Sequence, residues 1–309
     1  MKVAQVTEFG KPPKVVEVDS PIVLGDAPES DLVDLKLTAT GIHRLVQARA
    51  AGNHYSAKGL PHIPGVDGVF KTADGKLVFV SFISPTGGTM AEELKAPKAS
   101  IVPVPDGCDP IQVAGLVNPI MSGWMALATR VRDLPKNFTV LIVGATSLSG
   151  TCAITVSREF GAGKVIGCAR NLEKMANLGL DDTIKLEDDV NKTDFSKLGQ
   201  VDVILDYLYG PIIPHLFSSL SRPARTVQYI QIGSVAGLST ELPADQLRSK
   251  NIAMTGSGPG SWSVQQYFQQ LPGMVGIVSK IRPYKFETVH LPEIENAWTK
   301  GGERIVVVP

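Results

Sequence analysis

The chain has 309 residues, of which 43% are hydrophobic, and this length and composition fit a globular protein of two domains with a large core. Lysine plus arginine and aspartate plus glutamate each number 30, so the formal net charge at pH 7 is zero. This balance excludes a global electrostatic attraction to nucleic acid or to an anionic membrane, and we expect neither as a partner.

Short β-like runs broken by glycine and proline fill residues 1–118, for example at 33–37 and 76–80. This pattern predicts a mostly β domain. After the Asn118-Pro119 pair, over residues 119–271, apolar strands alternate with amphipathic helical stretches, which predicts an α/β domain with a doubly wound parallel sheet. Its six strand candidates match the Rossmann count and lie at 138–143, 164–168, 183–186, 201–205, 226–232 and 252–255.

The last part of the chain, residues 272–309, returns to β-type alternation at 284–289 and 304–308, with a helix near 293–300 between the two runs. We expect this segment to return to the first domain. Both chain ends then build one domain, and the α/β domain is inserted between them.

Cysteine usage and the start of the chain indicate a reducing compartment. Cys108, Cys152 and Cys168 form no close pair, which argues against a disulfide framework and against a cysteine-rich zinc site. Residues 1–6 alternate like a strand and lack the pattern of a secretory signal, and no apolar run approaches the ~20 residues of a membrane span. We therefore expect a cytoplasmic protein.

Residues 140–150 form an apolar strand that enters a turn bounded by glycines, and a helix follows. In such a unit, backbone N–H groups and the positive helix N-terminus can bind a pyrophosphate. The pattern G-x-G-x-x-G is incomplete, because Ser147 takes the middle position, so a turn that uses Gly144 and Gly150 only for packing is the alternative. The candidate phosphate-binding residues are Gly144, Thr146, Ser147, Leu148 and Ser149.

The end of the second strand candidate distinguishes between two nicotinamide cofactors. A Rossmann protein selective for NAD carries an acid here, which binds the ribose 2′-hydroxyl. This chain has Arg170 instead, whose planar guanidinium suits a 2′-phosphate, and Asn171 and Lys174 in the following turn can add donors. The sequence therefore predicts NADPH as the cofactor, although Lys174 can equally be an ordinary solvated helix lysine.

Several further segments, taken in order and with their spacing, make the chain resemble the zinc-independent quinone oxidoreductase branch of the medium-chain dehydrogenase/reductase superfamily over nearly its whole length. They are residues 63–68 (IPGVDG), 118–127 (NPIMSGWMAL), the cofactor loop, 205–210 (LDYLYG), 231–237 (QIGSVAG) and 256–261 (GSGPGS). The resemblance implies a GroES-like catalytic domain formed by both chain ends around a Rossmann domain, with the substrate in the cleft between them, and a homodimer is a common assembly.

The resemblance also implies roles for individual residues. Asn118 and Ser122 lie near the nicotinamide, and Asp206 and Tyr207 line the cofactor groove. The outer parts of the cofactor contact residues that follow the fifth and sixth strands, where open α/β sheets bind ligands. These residues are Gly233, Ser234, Ser257 and Gly258; for the glycines, simple loop geometry is the alternative.

No metal site is expected. The zinc alcohol dehydrogenases of this superfamily have a zinc-binding cysteine and a Gly-His-Glu motif. The segments of this chain that resemble those regions are Gly41-Ile42-His43, without the cysteine, and Gly65-Val66-Asp67, without the histidine. Catalytic zinc needs about three protein ligands, and the histidines of this region have no recognisable ligand spacing. Without a Lewis acid, an electrophilic acceptor such as a quinone or an α,β-unsaturated carbonyl is favoured over an alcohol.

Three side chains of the first domain are candidate proton donors or substrate contacts, because they lie in segments that resemble those facing the nicotinamide in the family. Tyr55 is the first choice, since its hydroxyl can donate to a developing enolate or hydroquinone oxygen. His43 is the second and His54 the third. For each of the three, a purely structural role is the alternative.

The sequence thus predicts an NADPH-dependent reductase of a quinone, an α,β-unsaturated carbonyl or an activated ketone. Two alternatives stay open. One is an enoyl reductase that serves a biosynthetic, polyketide-like pathway by acting on carrier-bound chains. The other is an NADPH-binding structural or regulatory protein without redox activity.

Overall fold

The computed structural model describes residues 1–54, 56–57, 59–81, 87–221, 224–299 and 304–309. The chain divides into two compact units. The first consists of Met1–Asn118 and Leu271–Pro309, and the second of Pro119–Gln270. The first unit is therefore built from both chain ends, with the second inserted between them.

The elements found in the described residues are as follows. The strands are β1 (Lys2–Gln5), β2 (Lys14–Glu17), β3 (Ile22–Val23), β4 (Leu32–Gly41), β5 (Asp67–Thr72), β6 (Leu77–Ser81), β7 (Glu93–Pro97), β8 (Ile101–Pro103), β9 (Thr139–Val143), β10 (Lys164–Ala169), β11 (Asp182–Lys185), β12 (Val203–Asp206), β13 (Val227–Gln231), β14 (Ile252–Gly256), β15 (Glu287–His290) and β16 (Ile305–Val308). The helices are α1 (Arg44–Ala50), α2 (Pro110–Thr129), α3 (Leu148–Glu159), α4 (Leu172–Ala176), α5 (Ile212–Ser219), α6 (Ala244–Ser249), α7 (Val264–Gly276) and α8 (Ile294–Ala297).

The first unit is mostly β, as the sequence predicted. Its main sheet runs in the order β15-β16-β4-β5-β6-β8, and β7 pairs with both β3 and β4. Strand β4 is the centre of this sheet, because it pairs antiparallel with β5, β7 and β16. Its residues Leu35, Leu37 and Ala39 are buried at every second position, as expected for a strand with one face on the core.

One strand of the first unit is shorter than predicted. The sequence indicated a strand over 284–289, whereas β15 begins at Glu287. Tyr284 is instead paired with a side chain, since the Gln112 amide donates to its carbonyl at 2.8 Å and accepts from its N–H at 2.9 Å. The ring of Phe286 then packs against Gly115, where an added Cβ would lie 2.3 Å from the ring. These contacts replace the strand ladder before Glu287.

The second unit contains a parallel sheet in the order β11-β10-β9-β12-β13-β14. Every neighbouring pair is parallel. All six strands lie within two residues of the predicted positions, and the order is that of a Rossmann fold. Strand order reverses between β9 and β12, so the ligand crevice of this fold lies at the carboxyl ends of these two strands.

One face of this sheet is covered by α5 and by the segment before β12. Leu141, Ile166 and Ile204 of the strands pack there against Leu216 and Phe217 of α5, all less than 2% exposed. At roughly 25 cal/mol per Å² of buried apolar surface, such a cluster is a main source of the unit's stability. It holds the carboxyl ends of the strands in a fixed register.

Helix α2 is long and apolar. Within the part of the chain that the structure describes, it is the helix whose length and composition would allow it to cross a membrane. However, 67% of the relevant window is buried inside the protein. This burial is typical of a core helix, and α2 contributes residues to both units.

Candidate functional site

The loop between β9 and α3 is a turn that requires glycine at its start. Gly144 follows β9 directly and has φ +91°, a backbone conformation that residues with a side chain rarely adopt. Its N–H donates to the carbonyl of Cys168 in β10 at 2.8 Å, which fixes the turn to the neighbouring strand. The loop therefore starts at the carboxyl edge of the sheet, at the point where strand order reverses.

Ser147 explains why the middle glycine of the motif is absent. It is the N-cap of α3, where its hydroxyl accepts from the Gly150 N–H at 3.0 Å and donates to the Gly144 carbonyl at 2.9 Å. This side chain closes the loop onto the helix. Leu148 and Ser149 belong to the first turn of α3, whose N–H groups have no partner within the helix and can bind an anion.

Gly150 is required for close packing. A Cβ at this position would lie 2.3 Å from the Gly144 carbonyl oxygen and 2.9 Å from the Cα of Ala145. Only glycine at position 150 therefore lets the N-terminus of α3 approach the loop this closely. Such a close approach of helix and loop is what a pyrophosphate cradle needs.

The end of β10 presents basic and polar side chains beside this loop. Arg170 follows β10 directly and is exposed, and Asn171 caps α4 by accepting from the Lys174 N–H at 2.7 Å. The Lys174 ammonium donates to the Thr146 carbonyl at 2.7 Å. Lys174 is thus held against the phosphate loop, and the structure brings these four predicted residues together.

Asp206, at the end of β12, is buried and hydrogen-bonded. Its carboxylate accepts from the Tyr229 hydroxyl at 2.5 Å, from the Leu208 N–H at 2.8 Å and from the Tyr209 N–H at 3.0 Å. Burial raises the pKa of Asp206, and these three donors act in the opposite direction. The carboxylate thus shapes the turn 207–210, in which Tyr209 has φ +58°.

Ser122 and Tyr207 meet within the second unit. The Ser122 hydroxyl donates to the Pro119 carbonyl at 2.7 Å and lies 3.3 Å from the Tyr207 hydroxyl. Tyr207 is buried, and burial raises the pKa of its phenol well above the ordinary value. Since Tyr207 follows β12, this contact places one face of α2 at the carboxyl edge of the parallel sheet.

A cavity of about 510 Å³ lies along β13 and β14 and beside Tyr209 of the turn after β12. Ser234, one of the predicted cofactor contacts, lines it, and Ser257 follows the strand end Gly256, which also lines it. Gly233 packs so closely on the turn after β12 that a Cβ would lie 2.6 Å from the Tyr207 carbonyl. Gly258 is bound to the Ser261 hydroxyl through both its N–H and its carbonyl.

His43 is the N-cap residue of α1, two positions after β4, and lies in a buried polar cluster of the first unit. Its Nε2 is 3.0 Å from Oδ1 of Asp67, and both side chains are 3% exposed. The other carboxylate oxygen, Oδ2, accepts from the Asn118 amide at 3.3 Å. Two predicted residues, His43 and Asn118, are therefore joined through a third residue that the sequence analysis did not select.

The other two proton-donor candidates are Tyr55 and His54. Tyr55 lies outside the described residues. His54 is half-buried, and its Nδ1 is 2.8 Å from the Ser56 hydroxyl. Burial, followed by the charge of Arg49, lowers the pKa of His54. His54 is therefore less protonated at neutral pH than an exposed histidine.

Sequence reasoning missed Asp67 and Tyr229. Asp67 was considered only as part of a missing zinc motif, although an acid inside an apolar strand is rare without a specific partner. Tyr229 lies in the middle of β13 and reads as an ordinary core residue. Among the residues that the structure describes, no group of three or more histidine, cysteine, aspartate or glutamate side chains could hold a metal ion.

No family model matches the chain. A probable NADPH-dependent quinone reductase of Emericella nidulans is 32% identical over 362 residues, which cover 100% of this chain and 100% of that protein. A trans-enoyl reductase of Aspergillus terreus is 24% identical over 209 residues, 63% of this chain and 57% of that protein.

Among solved structures, the quinone oxidoreductase of Thermus thermophilus superimposes with a TM-score of 0.78 at 21% identity, covering 100% of each chain. At this identity the likeness shows the fold, and it confirms the predicted combination of a GroES-like and a Rossmann domain. Together with the relative from Emericella nidulans, it also confirms the predicted oxidoreductase. The chain belongs to the quinone oxidoreductase branch of the medium-chain dehydrogenase/reductase superfamily.

Proposed function

We propose that this protein is an NADPH-dependent reductase that transfers hydride to a quinone or to an α,β-unsaturated carbonyl compound. The observation that carries the proposal is the end of β10, where exposed Arg170 stands beside Asn171 and Lys174 at the phosphate loop. NADPH is the cofactor named for the relative from Emericella nidulans, which confirms the cofactor predicted from the sequence.

The residues of the second unit fit this cofactor. The turn at Gly144 and the close approach at Gly150 place the N-terminus of α3 at the loop, where the N–H groups of Leu148 and Ser149 can bind the pyrophosphate. Arg170 and Lys174 supply positive charge for the 2′-phosphate, and a guanidinium can bind it with two parallel hydrogen bonds. An NAD-selective site would need an acid where Arg170 stands.

When bound, NADPH supplies the hydride, and the protein supplies binding, orientation and electrostatics. Reduction of an enone or a quinone then requires one proton at the substrate oxygen or α-carbon. We expect hydrogen-bond donors to polarise that oxygen, and such donors suit acceptors that already take hydride readily. Oxidation of an alcohol and reduction of a simple ketone need stronger polarisation of the oxygen and are disfavoured.

Tyr55 is the proposed donor to the developing oxyanion, with its neutral phenol as the proton source. His54 precedes it by one position and is a weaker candidate, because its lowered pKa leaves it mostly neutral at pH 7. His43 is held by Asp67 and is nearly inaccessible. Asn118 and Ser122 are proposed to lie near the nicotinamide, and Gly233, Ser234, Ser257 and Gly258 are proposed to contact the outer parts of the cofactor.

A second function is favoured by one specific finding, the likeness to the trans-enoyl reductase of Aspergillus terreus. In that case the acceptor is an enoyl group on a carrier-bound chain. The chemistry at the nicotinamide is the same, because both acceptors are activated carbon–carbon double bonds. The two functions differ only in the size and tethering of the substrate.

A substrate panel tests the proposal. The protein is mixed with NADPH and, in turn, a quinone, a simple enone, a thioester-linked enoyl chain and an aryl ketone, while absorbance of the reduced nicotinamide is followed. We expect turnover with the quinone or the simple enone. Turnover confined to the thioester supports the second function, and tight NADPH binding without any turnover supports a non-redox protein.

We further propose that the protein acts in the cytoplasm as a homodimer. The support for this assembly is the family resemblance. Sedimentation at micromolar concentration gives the mass directly, and we expect about twice the 33.0 kDa of one chain. A single species at the monomer mass would contradict the proposed dimer.

A further inference from the structure

The face of the parallel sheet that α5 covers continues past α5 towards the edge strand β14. Tyr229 and Gln231 of β13 pair with Met254 and Gly256 of β14, so these four positions share one face of the sheet. Tyr229 packs in the core cluster formed with α5, where its ring lies 5.2 Å from the ring of Phe217. The shared face is therefore the α5 face.

The chain covers the space beside β14 on this face with a loop and one short helix. Residues 232–243, all of which are described, connect β13 to α6 without a helix or strand, and α6 has only six residues. A Cβ added to Gly256 would meet no atom of the described residues within 4 Å. The cavity of about 510 Å³ lies here, and its volume is within the roughly 300–1,000 Å³ of small-molecule sites.

The cavity and helix α3, which begins at the phosphate loop, lie on opposite faces of the sheet. Helix α3 is described in full, and its buried residues Cys152, Ala153 and Val156 do not belong to the cluster that α5 forms with the strands. Because helices of a doubly wound sheet cover both faces, α3 covers the face opposite to α5. The described lining residues all belong to the second unit, and Ser234 alone among them is also a proposed cofactor contact.

The walls of the cavity suit a flat and uncharged ring. Tyr209 and Tyr229 contribute aromatic rings, Leu238 and Met254 contribute apolar side chains, and none of the described lining residues carries a charge. The carboxyl group of Asp206 lies behind Tyr229, whose hydroxyl donates to it, so an anionic ligand would approach a buried negative charge. A neutral aromatic molecule fits, because rings pack well on tyrosine and on the polarizable sulfur of methionine.

The polar groups that are fixed at this cavity are acceptors. The Gln231 Nε2 group donates to the Gly233 carbonyl at 3.0 Å, which leaves the amide oxygen without a hydrogen-bond partner among the described residues. The Tyr229 hydroxyl donates its only proton to Asp206. A ligand that complements the cavity must therefore bring a hydrogen-bond donor, and a phenol O–H is such a donor on an aromatic ring.

We propose that this cavity of the second unit binds a neutral phenolic molecule. The ring of the ligand packs on Tyr209 and Met254, and its O–H donates to the amide oxygen of Gln231. Binding in this way uses neither the phosphate loop nor Arg170, so it is independent of the proposed reductase activity.

Titration of the full chain with 2-naphthol, followed by the fluorescence of the naphthalene ring, tests the site. We expect saturable one-to-one binding to the wild type. Gly256→Val places methyl groups in the space of the ring and should weaken 2-naphthol at least about tenfold. Gly276→Val is the matched control, because Gly276 ends α7 outside the cavity and an added Cβ there also meets no described atom within 4 Å. Its affinity should change less than about twofold.

Two related ligands test the predicted chemistry. Gln231→Leu removes the acceptor and should weaken 2-naphthol about tenfold, whereas 2-methoxynaphthalene, which cannot donate, should change less than about twofold. The anion 2-naphthoate should bind the wild type at least about tenfold more weakly than 2-naphthol. Thermal unfolding checks that each variant is folded, and Gln231→Leu carries the test if Gly256→Val is not.

Three results would overturn the proposal. Absence of saturable binding to the wild type, or equal affinity in the wild type and folded Gly256→Val, means that the cavity is not a phenol site. Full displacement of 2-naphthol by NADP⁺ assigns the cavity to the cofactor instead. A smaller sedimentation mass for Gly256→Val, without naphthol binding by the wild type, means that a second copy of the chain covers the cavity. A protein that binds 2-naphthol but reduces no acceptor contradicts the proposed reaction alone, because the titrations do not use turnover.

Discussion

Replacement of Arg170 tests the assignment of the 2′-phosphate site. The guanidinium is exposed at the end of β10, so Arg170→Ala removes a charge without opening the core, and the free energy of unfolding should change by less than about 0.5 kcal/mol. A charge-assisted hydrogen bond to a phosphate contributes about 1.5–3 kcal/mol. NADPH affinity should therefore fall about tenfold to a hundredfold.

The lower part of this range is expected at high salt, because Arg170 is exposed and its interaction is screened. Lys174 also remains in the variant, with its ammonium on the Thr146 carbonyl. NADH lacks the 2′-phosphate, so its affinity should change less than about twofold. The ratio of the two affinities isolates the contact to the phosphate from any general effect on the fold.

Calorimetric titration of both cofactors into the wild type, Arg170→Ala and the control Arg248→Ala provides the measurement. Arg248 is exposed on α6, away from the phosphate loop in sequence, so its removal matches the change in net charge. Equal loss of NADPH and NADH affinity in Arg170→Ala would contradict a contact between Arg170 and the 2′-phosphate. Equal loss of NADPH affinity in both arginine variants shows a general effect of charge instead.

Three further predictions concern the second unit. Ser147→Ala removes the N-cap of α3 and should lower stability by about 1 kcal/mol in calorimetry, whereas an unchanged midpoint contradicts the capping role. Gly150→Ala places a Cβ 2.3 Å from the Gly144 carbonyl and should weaken NADPH at least about tenfold in titrations; unchanged affinity refutes the close approach. Tyr229→Phe removes a donor to Asp206, whose pKa burial raises. Because burial disfavours the ionised form of Asp206, the folded state loses stability as pH rises and Asp206 ionises. Tyr229→Phe should therefore lower the free energy of unfolding in urea by about 1–3 kcal/mol at pH about 7 and by less at pH about 5. Equal losses at the two pH values would contradict this.

The parallel sheet and the positions of its strands were predictable because the strands are apolar runs. Residues 140–143 and 164–168 could hardly form anything but buried parallel strands, and right-handed crossovers restrict their order. The same holds for the phosphate loop, where glycine and a capping serine act over a few neighbouring residues. For these two features, sequence patterns within a few neighbouring residues were sufficient for the prediction.

Contacts between distant positions were not predictable. The start of β15 depends on the Gln112 side chain, 172 residues before Tyr284, and no local pattern at 284–286 reveals that partner. The cluster of His43, Asp67 and Asn118 spans 24 and 51 residues along the chain. Sequence alone suggested His43 and Asn118 separately, and only the fold joins them through Asp67.

Ser147 is an intermediate case. From the motif alone it looked like a defect in a phosphate loop, because glycine is expected at the middle position. Its position directly before a helix is, however, typical of an N-cap, and this signal was present in the sequence. The structure shows that the serine closes the loop by two hydrogen bonds.

Transfer of deuterium tests the central claim most directly. NADPH that carries deuterium at both C4 positions of the nicotinamide is incubated with the protein and a simple enone, with a chelator present, and the product is analysed by mass spectrometry. We expect one deuterium on the β-carbon of the saturated product and a clear preference for NADPH over NADH. A product without deuterium, or equal rates with both cofactors, would contradict it.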